Sequence, residues 1–242
     1  MTNDKLAHII MPVKDSIDTA EQAIRAIVAS GHSLCVYDDY STEETAQRLD
    51  ALRDELGIEV VHIRKRLDHP SPNYRWVLIQ AQHEAIEQNK HLVIIESDVI
   101  VKPDTIDKLI VERNKTVSLK EERPIGMVAA VTVNEAGEIN FPYEYAQKIR
   151  QDGACKKRFS FCCTLLTNAF LKAYDFEQLD PTKNWYDVHI SHMSVQLGFD
   201  NILQISNPVL HKPHSSRPWK QLKYTNPLLY YWRKLTQHRD KI

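Results

Sequence analysis

Glycine is scarce in this chain, with six in 242 residues. The turn after the first apolar run, Met11-Pro12-Val13-Lys14-Asp15, has none. That argues against a glycine-rich, phosphate-cradling loop at this place. Cysteine is equally sparse. Cys35, Cys155, Cys162 and Cys163 show neither zinc-ligand pair spacing nor a disulfide framework. Cys162 and Cys163 are adjacent, which disfavours a bridge between them, and both read as small buried hydrophobes rather than nucleophiles. A reducing cytoplasm fits this usage. No apolar run approaches the roughly 20 residues of a membrane-spanning helix. The opening Met1-Thr2-Asn3-Asp4-Lys5 lacks the basic-then-apolar layout of a signal peptide. A dominant charge is missing too. The formal net charge is -1, which gives no global pull towards nucleic acid or an acidic partner. No internal repeat, low-complexity segment or clear linker interrupts the sequence.

What is present is a sufficient core, at 43% hydrophobic residues, and one arresting stretch, Leu92-Val93-Ile94-Ile95-Glu96-Ser97-Asp98-Val99. The aliphatic run reads as a strand buried on both faces. Two carboxylates at its end sit where open α/β sheets bind ligands. Charge at the edge of a core is costly unless compensated. A divalent cation held by a carboxylate and by substrate phosphates would compensate it. The stretch therefore points to a metal-dependent, nucleotide-using enzyme.

The periodicity predicts alternating strands and helices. A first strand over 7–13, centred on His8 to Met11, is stopped by Pro12. A helix over 19–30 ends at Gly31. A second strand over 33–37 runs into Asp38-Asp39, and Ser41 or Thr42 caps a helix that ends at Gly57. A third strand over 59–63, a polar loop over 68–73, a helix over 74–88 and the strand 92–96 follow. Such βαβ units imply a mostly parallel sheet. Beyond it, a helix from Pro103 to about Val117 precedes a strand over 125–133. Residues 140–152 read as loop or short helix, 159–166 as a strand, 168–174 and 185–196 as helices, and 202–209 as a last strand. One α/β domain over 1–215 is expected, with a nucleotide-binding half to about 100 and a less regular half beyond, then a tail over 216–242.

The chemistry-bearing motifs come in a fixed order. His8-Ile9-Ile10-Met11-Pro12-Val13 is an opening strand ending in proline. Val36-Tyr37-Asp38-Asp39-Tyr40-Ser41-Thr42 is an acidic turn after strand 2. Residues 73–86 form a helix before Glu96-Ser97-Asp98. Trp185-Tyr186-Asp187-Val188 is followed by Gln196-Leu197-Gly198-Phe199, and Val209-Leu210-His211 closes the set. This series resembles the family 2 glycosyltransferases of the GT-A fold over about residues 7–215. The resemblance implies transfer of a sugar, with inversion, from a nucleotide-diphosphate sugar (a UDP-sugar favoured) to a glycan or lipid-linked acceptor. It implies a setting in bacterial polysaccharide or lipopolysaccharide assembly, in the cytoplasm or at the inner face of the membrane. It also implies that the half to about 100 is a nucleotide-sugar half and the half beyond, to 215, a metal and acceptor half. By the same resemblance Asp38 meets the nucleotide base with Asp39 in support, Pro12 and Ser97 belong to the donor contact, and Glu96 serves the ribose or the metal's surroundings. Asp98 and His211 would hold Mn2+ or Mg2+, with His214 a weaker substitute for His211. Asp187 would be the general base. Arg75 is placed to reach a phosphate or the base. Glu96 departs from the family's aspartate, and Tyr186-Asp187 stands where the family often has two acids.

Blander readings stand beside these. Asp38 and Asp39 suit a helix cap, Asp187 suits the positive end of a helix, and Arg75, His189 and His192 suit a solvated face. A non-catalytic GT-A-like nucleotide-binding protein is one rival. A nucleotidyltransferase is another, against which the glycine-free turn counts. The tail also has two readings. From His211 onwards eight Lys and Arg residues accompany a single acid, Asp240, with Trp219, Tyr224, Tyr230, Tyr231 and Trp232 interleaved. Either this is a peripheral membrane contact, or it is a helix packed on the domain with its charges in water.

Overall fold

Strand β1 (Ala7–Val13) buries both of its faces. Ile9, Met11 and Val13 enter one apolar core and Ile10 a second, the period-two alternation of a strand covered on both sides. Strand β4 (His91–Ile95) repeats the pattern, with Val93 and Ile95 on one side and Leu92 and Ile94 on the other. The computed structural model describes residues 6–112, 123–212 and 226–236. None of its helices is long and apolar enough to cross a membrane among these residues.

Strands β2 (Cys35–Asp38) and β3 (Glu59–His62) lie parallel to β1 on one flank, and β4 lies parallel on the other. The first core is filled by α1 (Ile17–Ala29), α2 (Glu43–Leu56) and α4 (Thr105–Glu112). The second is filled by α3 (Tyr74–Glu87), α5 (Asn168–Ala173) and α6 (Tyr186–Gln196). The sheet is thus sandwiched between helices. Helix α2 is capped as its sequence predicts: the Thr42 side chain accepts from the Thr45 amide, and Gly57 ends it in the left-handed region at φ 69°.

The second half is mixed. Strand β8 (Cys163–Leu166) runs antiparallel between β4 and β6 (Ile125–Val133), and β9 (Asp200–His211) runs parallel to β6. Two short strands, β5 (Val99–Ile100) and β7 (Gly153–Ala154), pair antiparallel with β9. The order is β3-β2-β1-β4-β8-β6-β9-β5, with β7 on β9. Strands β1 to β4, β6 and β9 share one direction, so the mostly parallel sheet is present with its antiparallel members in the later half.

Several boundaries depart from expectation for local reasons. β1 keeps its predicted bounds, but Pro12 does not stop it, because its pairing with β4 ends at Ile10 and Pro12 needs no donor on that side. The helix expected from Pro103 begins at Thr105, whose hydroxyl is taken by the Lys102 amide at 3.0 Å. Its expected end near Val117 lies outside the described residues. Of 159–166 only Cys163–Leu166 joins the sheet. The ambiguous 140–152 stretch holds one 3-10 turn, Glu144–Ala146. β9 exceeds its predicted length, and its register against β6 shifts where Ala130 pairs with Gln204 but Thr132 with Val209. That irregularity accommodates Pro208. Part of the tail is helix α7 (Pro227–Thr236).

Candidate active site

The loops that leave β1 and β2 hold each other. The Asp15 amide donates to Ser41 Oγ at 3.0 Å, and the Thr42 amide donates to Asp15 Oδ1 at 2.8 Å. Lys14 Nζ donates to the Tyr40 carbonyl. Asp15, Ser16 and Tyr40 are left-handed, at φ 56°, 53° and 58°. For a residue as bulky as tyrosine this conformation is an outlier that the surroundings must enforce. Pro12 lies half-buried beside these loops.

The acidic turn itself grips the segment between β3 and α3. Asp38 is fully buried, with Oδ2 2.7 Å from His62 Nδ1 and Oδ1 accepting from the Ser41 amide at 3.0 Å. His62 Nε2 reaches Asp50 at 3.2 Å. Asp39 accepts from Ser71 Oγ at 2.7 Å, the Asn73 amide at 3.0 Å and Asn73 Nδ2 at 2.8 Å. The Tyr40 hydroxyl donates to the Leu67 carbonyl and accepts from the His69 amide at 3.2 Å. Arg64 lies 5.8 Å over the Tyr40 ring and donates to the Ser41 carbonyl. The expected base contact, Asp38, therefore has both oxygens engaged inside the protein. Arg64 to Asp68 line an open hollow of about 370 Å³ at this edge. Tyr40 lies in the turn itself, whereas His62 and Asn73 are 24 and 34 residues from the acids they meet and carried no sequence signal of this role.

At the end of β4 the chain turns through Glu96, Ser97 and Asp98 into β5. Val99 in β5 pairs with His211 in β9, and this register sets His211 against Asp98. His211 Nε2 lies 3.5 Å from Asp98 Oδ2, with the two side chains 4% and 14% exposed. His211 Nδ1 donates to the Phe141 carbonyl at 2.8 Å. That bond fixes the ring and directs Nε2 at the carboxylate. Burial works to lower the His211 pKa; the Asp98 hydrogen bond and charge, the Glu96 charge and the Phe141 carbonyl outweigh it, and the net shift is upward. Glu96 accepts from Cys162 Sγ at 3.3 Å. Burial first, then the Glu96 charge, push that thiol well above its usual value, so it stays protonated and donates. Phe141 and Cys162 are contacts that sequence reasoning missed. The first is a backbone carbonyl that no motif encodes, and the second was read only as a small apolar filler.

One carboxylate and one imidazole nitrogen form a donor set that Mg2+ and Mn2+ accept, with the remaining positions left to phosphate oxygens and water. Among the described residues no cluster of three or more His, Cys, Asp or Glu side chains is arranged to hold a metal. The pair fits a cation completed by a substrate rather than a closed protein cage. His214 lies outside the described residues.

Asp187 stands in the first turn of α6, half-buried, and its Oδ1 accepts from the Val188 amide at 2.8 Å. A run of contacts ties this turn to the acidic one. Asn73, held by Asp39, precedes Arg75. Arg75 Nε donates to the Leu179 carbonyl at 2.7 Å, and its Nη2 reaches the Glu177 carbonyl and carboxylate. The Tyr186 hydroxyl donates to the Asp180 carbonyl at 3.1 Å. Arg75, expected at a phosphate or the base, is thus committed to the segment that leads into α6. His189 meets the Tyr174 hydroxyl at 2.9 Å on the same helix.

Residues 8–116 match the sequence model described as Glycosyl transferase family 2, so this part of the chain carries that family's signature. Among curated proteins none matches significantly. Solved structures share the fold. Residues 1–349 of S. aureus TarS superpose with a TM-score of 0.59 at 13% identity, over 96% of this chain and 66% of that one. Glucosyl-3-phosphoglycerate synthase from Mycobacterium tuberculosis, in complex with Mn2+ and UDP-glucose, gives 0.53 at 14% identity, over 93% and 76%. GalNAc-T7 with UDP, GalNAc and Mn2+ gives 0.55 at 12% identity, over 85% of this chain and 43% of that one. The fold is therefore of the GT-A glycosyltransferase type.

Proposed function

We propose that the protein transfers a glycosyl unit from a nucleotide-diphosphate sugar, a UDP-sugar first among them, to a hydroxyl of a glycan or lipid-linked acceptor, inverting the anomeric carbon. The observation that carries this reading is the Asp98–His211 pair, 3.5 Å apart at the carboxyl end of β4, in a chain whose first half matches the glycosyl transferase family 2 model. Ligands of open α/β sheets bind at that end. Mn2+ or Mg2+ held by Asp98 and His211 would stabilise charge on the departing diphosphate.

The protein's own residues then divide the work. Asp187 takes the proton from the attacking acceptor hydroxyl, a contribution of about 10²–10⁴-fold for a positioned carboxylate. Glu96, Ser97 and Pro12 line the ribose and sugar side. Asp38 and Asp39 act on the donor through the segment they grip, and Arg75 positions the stretch that presents Asp187.

A thermal-shift and calorimetry screen of UDP, GDP, dTDP and CMP, with and without Mn2+, tests the donor site. A Mn2+-dependent shift for one nucleotide that disappears in Asp98→Ala supports the reading. Purified protein that neither binds nor hydrolyses any common sugar nucleotide with Mn2+ overturns it. Nucleotide binding without turnover, unchanged in Asp187→Asn, favours the non-catalytic rival.

A further inference from the structure

Helix α7 (Pro227–Thr236) turns an apolar face outward. Asn226 starts it: its side-chain oxygen accepts from the Leu229 amide at 3.1 Å and its carbonyl from the Tyr230 amide at 3.0 Å. Pro227 suits the first helical position, where no donor is needed. Tyr230 is only 8% exposed, whereas Leu228, Tyr231 and Trp232 are 86%, 55% and 60% exposed. At about 100° per residue, positions 228, 231 and 232 share one arc and position 230 lies opposite. The helix is therefore seated through Tyr230 and directs a leucine, a tyrosine and a tryptophan into solvent. An ordinary surface helix does the reverse.

The charge of this end of the chain is equally lopsided. From His211 onwards eight Lys and Arg residues face one acid, while the whole chain carries a net charge of -1. This end of the chain thus carries a marked cation excess in the same stretch of sequence as the outward apolar arc.

We propose that this face of α7 docks on an anionic phospholipid bilayer. Tyrosine and tryptophan present an apolar body with a polar tip, which suits the boundary between acyl chains and headgroups, and neighbouring Lys and Arg attract phosphate headgroups. A second copy of the chain fits the face less well, because it would set one cation-rich tail against another. The inference is independent of the reaction: it concerns a surface, and its test needs no nucleotide.

Flotation of the full-length protein with vesicles decides it. Mixed phosphatidylglycerol–phosphatidylcholine vesicles should carry at least about tenfold more protein than phosphatidylcholine alone, and raising the salt should release it. The double substitution Leu228→Ser with Trp232→Ser should lower the bound fraction about tenfold. Both side chains are exposed, so the melting temperature should not move. Failure to float with anionic vesicles, or equal flotation of the double variant, overturns the proposal. So does a dimer in sedimentation that the double variant dissociates, since a second copy then covers the face.

Discussion

Asp98 and His211 are joined because a two-residue strand, β5, pairs with the end of β9 and sets the two side chains 3.5 Å apart. The Phe141 carbonyl holds the far side of the imidazole. On the proposed reading, His211→Ala removes one of two protein donors and should weaken Mn2+ binding in the presence of UDP by at least about tenfold. Calorimetric titration of Mn2+ reads this. An unchanged affinity in both His211→Ala and Asp98→Ala would place the metal elsewhere.

Asp187→Asn keeps the volume and the helix-start position but removes the proton acceptor. Turnover should fall by about 10²–10⁴-fold, with nucleotide binding and melting temperature unchanged. Product formation at saturating donor measures it. A variant with wild-type kcat would return Asp187 to the role of a helix-end acid.

Gly126 in β6 has no room for a side chain. An added Cβ would lie 2.1 Å from Ser194 Oγ and 2.8 Å from Phe199 Cβ. Ser194 is fully buried and donates to Asn201 Oδ1 at 2.6 Å, so it has no space to withdraw. Gly126→Ala should cost about 2–3 kcal/mol by overpacking, read as a lowered midpoint in urea. Adding Ser194→Ala should return part of that loss.

Acid sensitivity should appear at the seam between α1 and α2. The Arg48 hydrogen bond, against opposing burial and with help from Arg25, holds the Glu21 carboxyl at about 2, below its usual 4.5. A carboxyl depressed by folding stabilises fully above its unfolded pKa, and the stabilisation disappears as pH falls from about 4.5 towards 2. Solvent screening keeps the contribution near 1 kcal/mol. Melting temperatures of Arg48→Met and the parent should differ at pH 6 and converge near pH 2.

The first half of the fold was legible because its signals are local. The two-sided apolar runs of β1 and β4, the Thr42 cap and the Gly57 stop each lie within a few residues of the element they define. The strand–helix rhythm also implied the parallel run of β2 and β4 on either side of β1, which puts the residues after both strands at one end of the sheet. What the sequence hid was long-range. Residues 159–166 read as a strand, yet nothing in their pattern says that Cys163–Leu166 runs antiparallel between β4 and β6. The outward-looking reading of Asp38 missed His62, which follows it by a whole helix. Arg75 had an exposed-looking position, and its partners at Glu177 and Leu179 come from the other half of the chain.

The mutual grip of the loops after β1 and β2, with Tyr40 fastened to Leu67 and His69, bears on kinetics. Ordering of these loops is completed during folding, so little conformational entropy remains to be lost when a ligand arrives. Association at this edge should resemble the docking of two rigid shapes, with differences between ligands expressed in how quickly they leave.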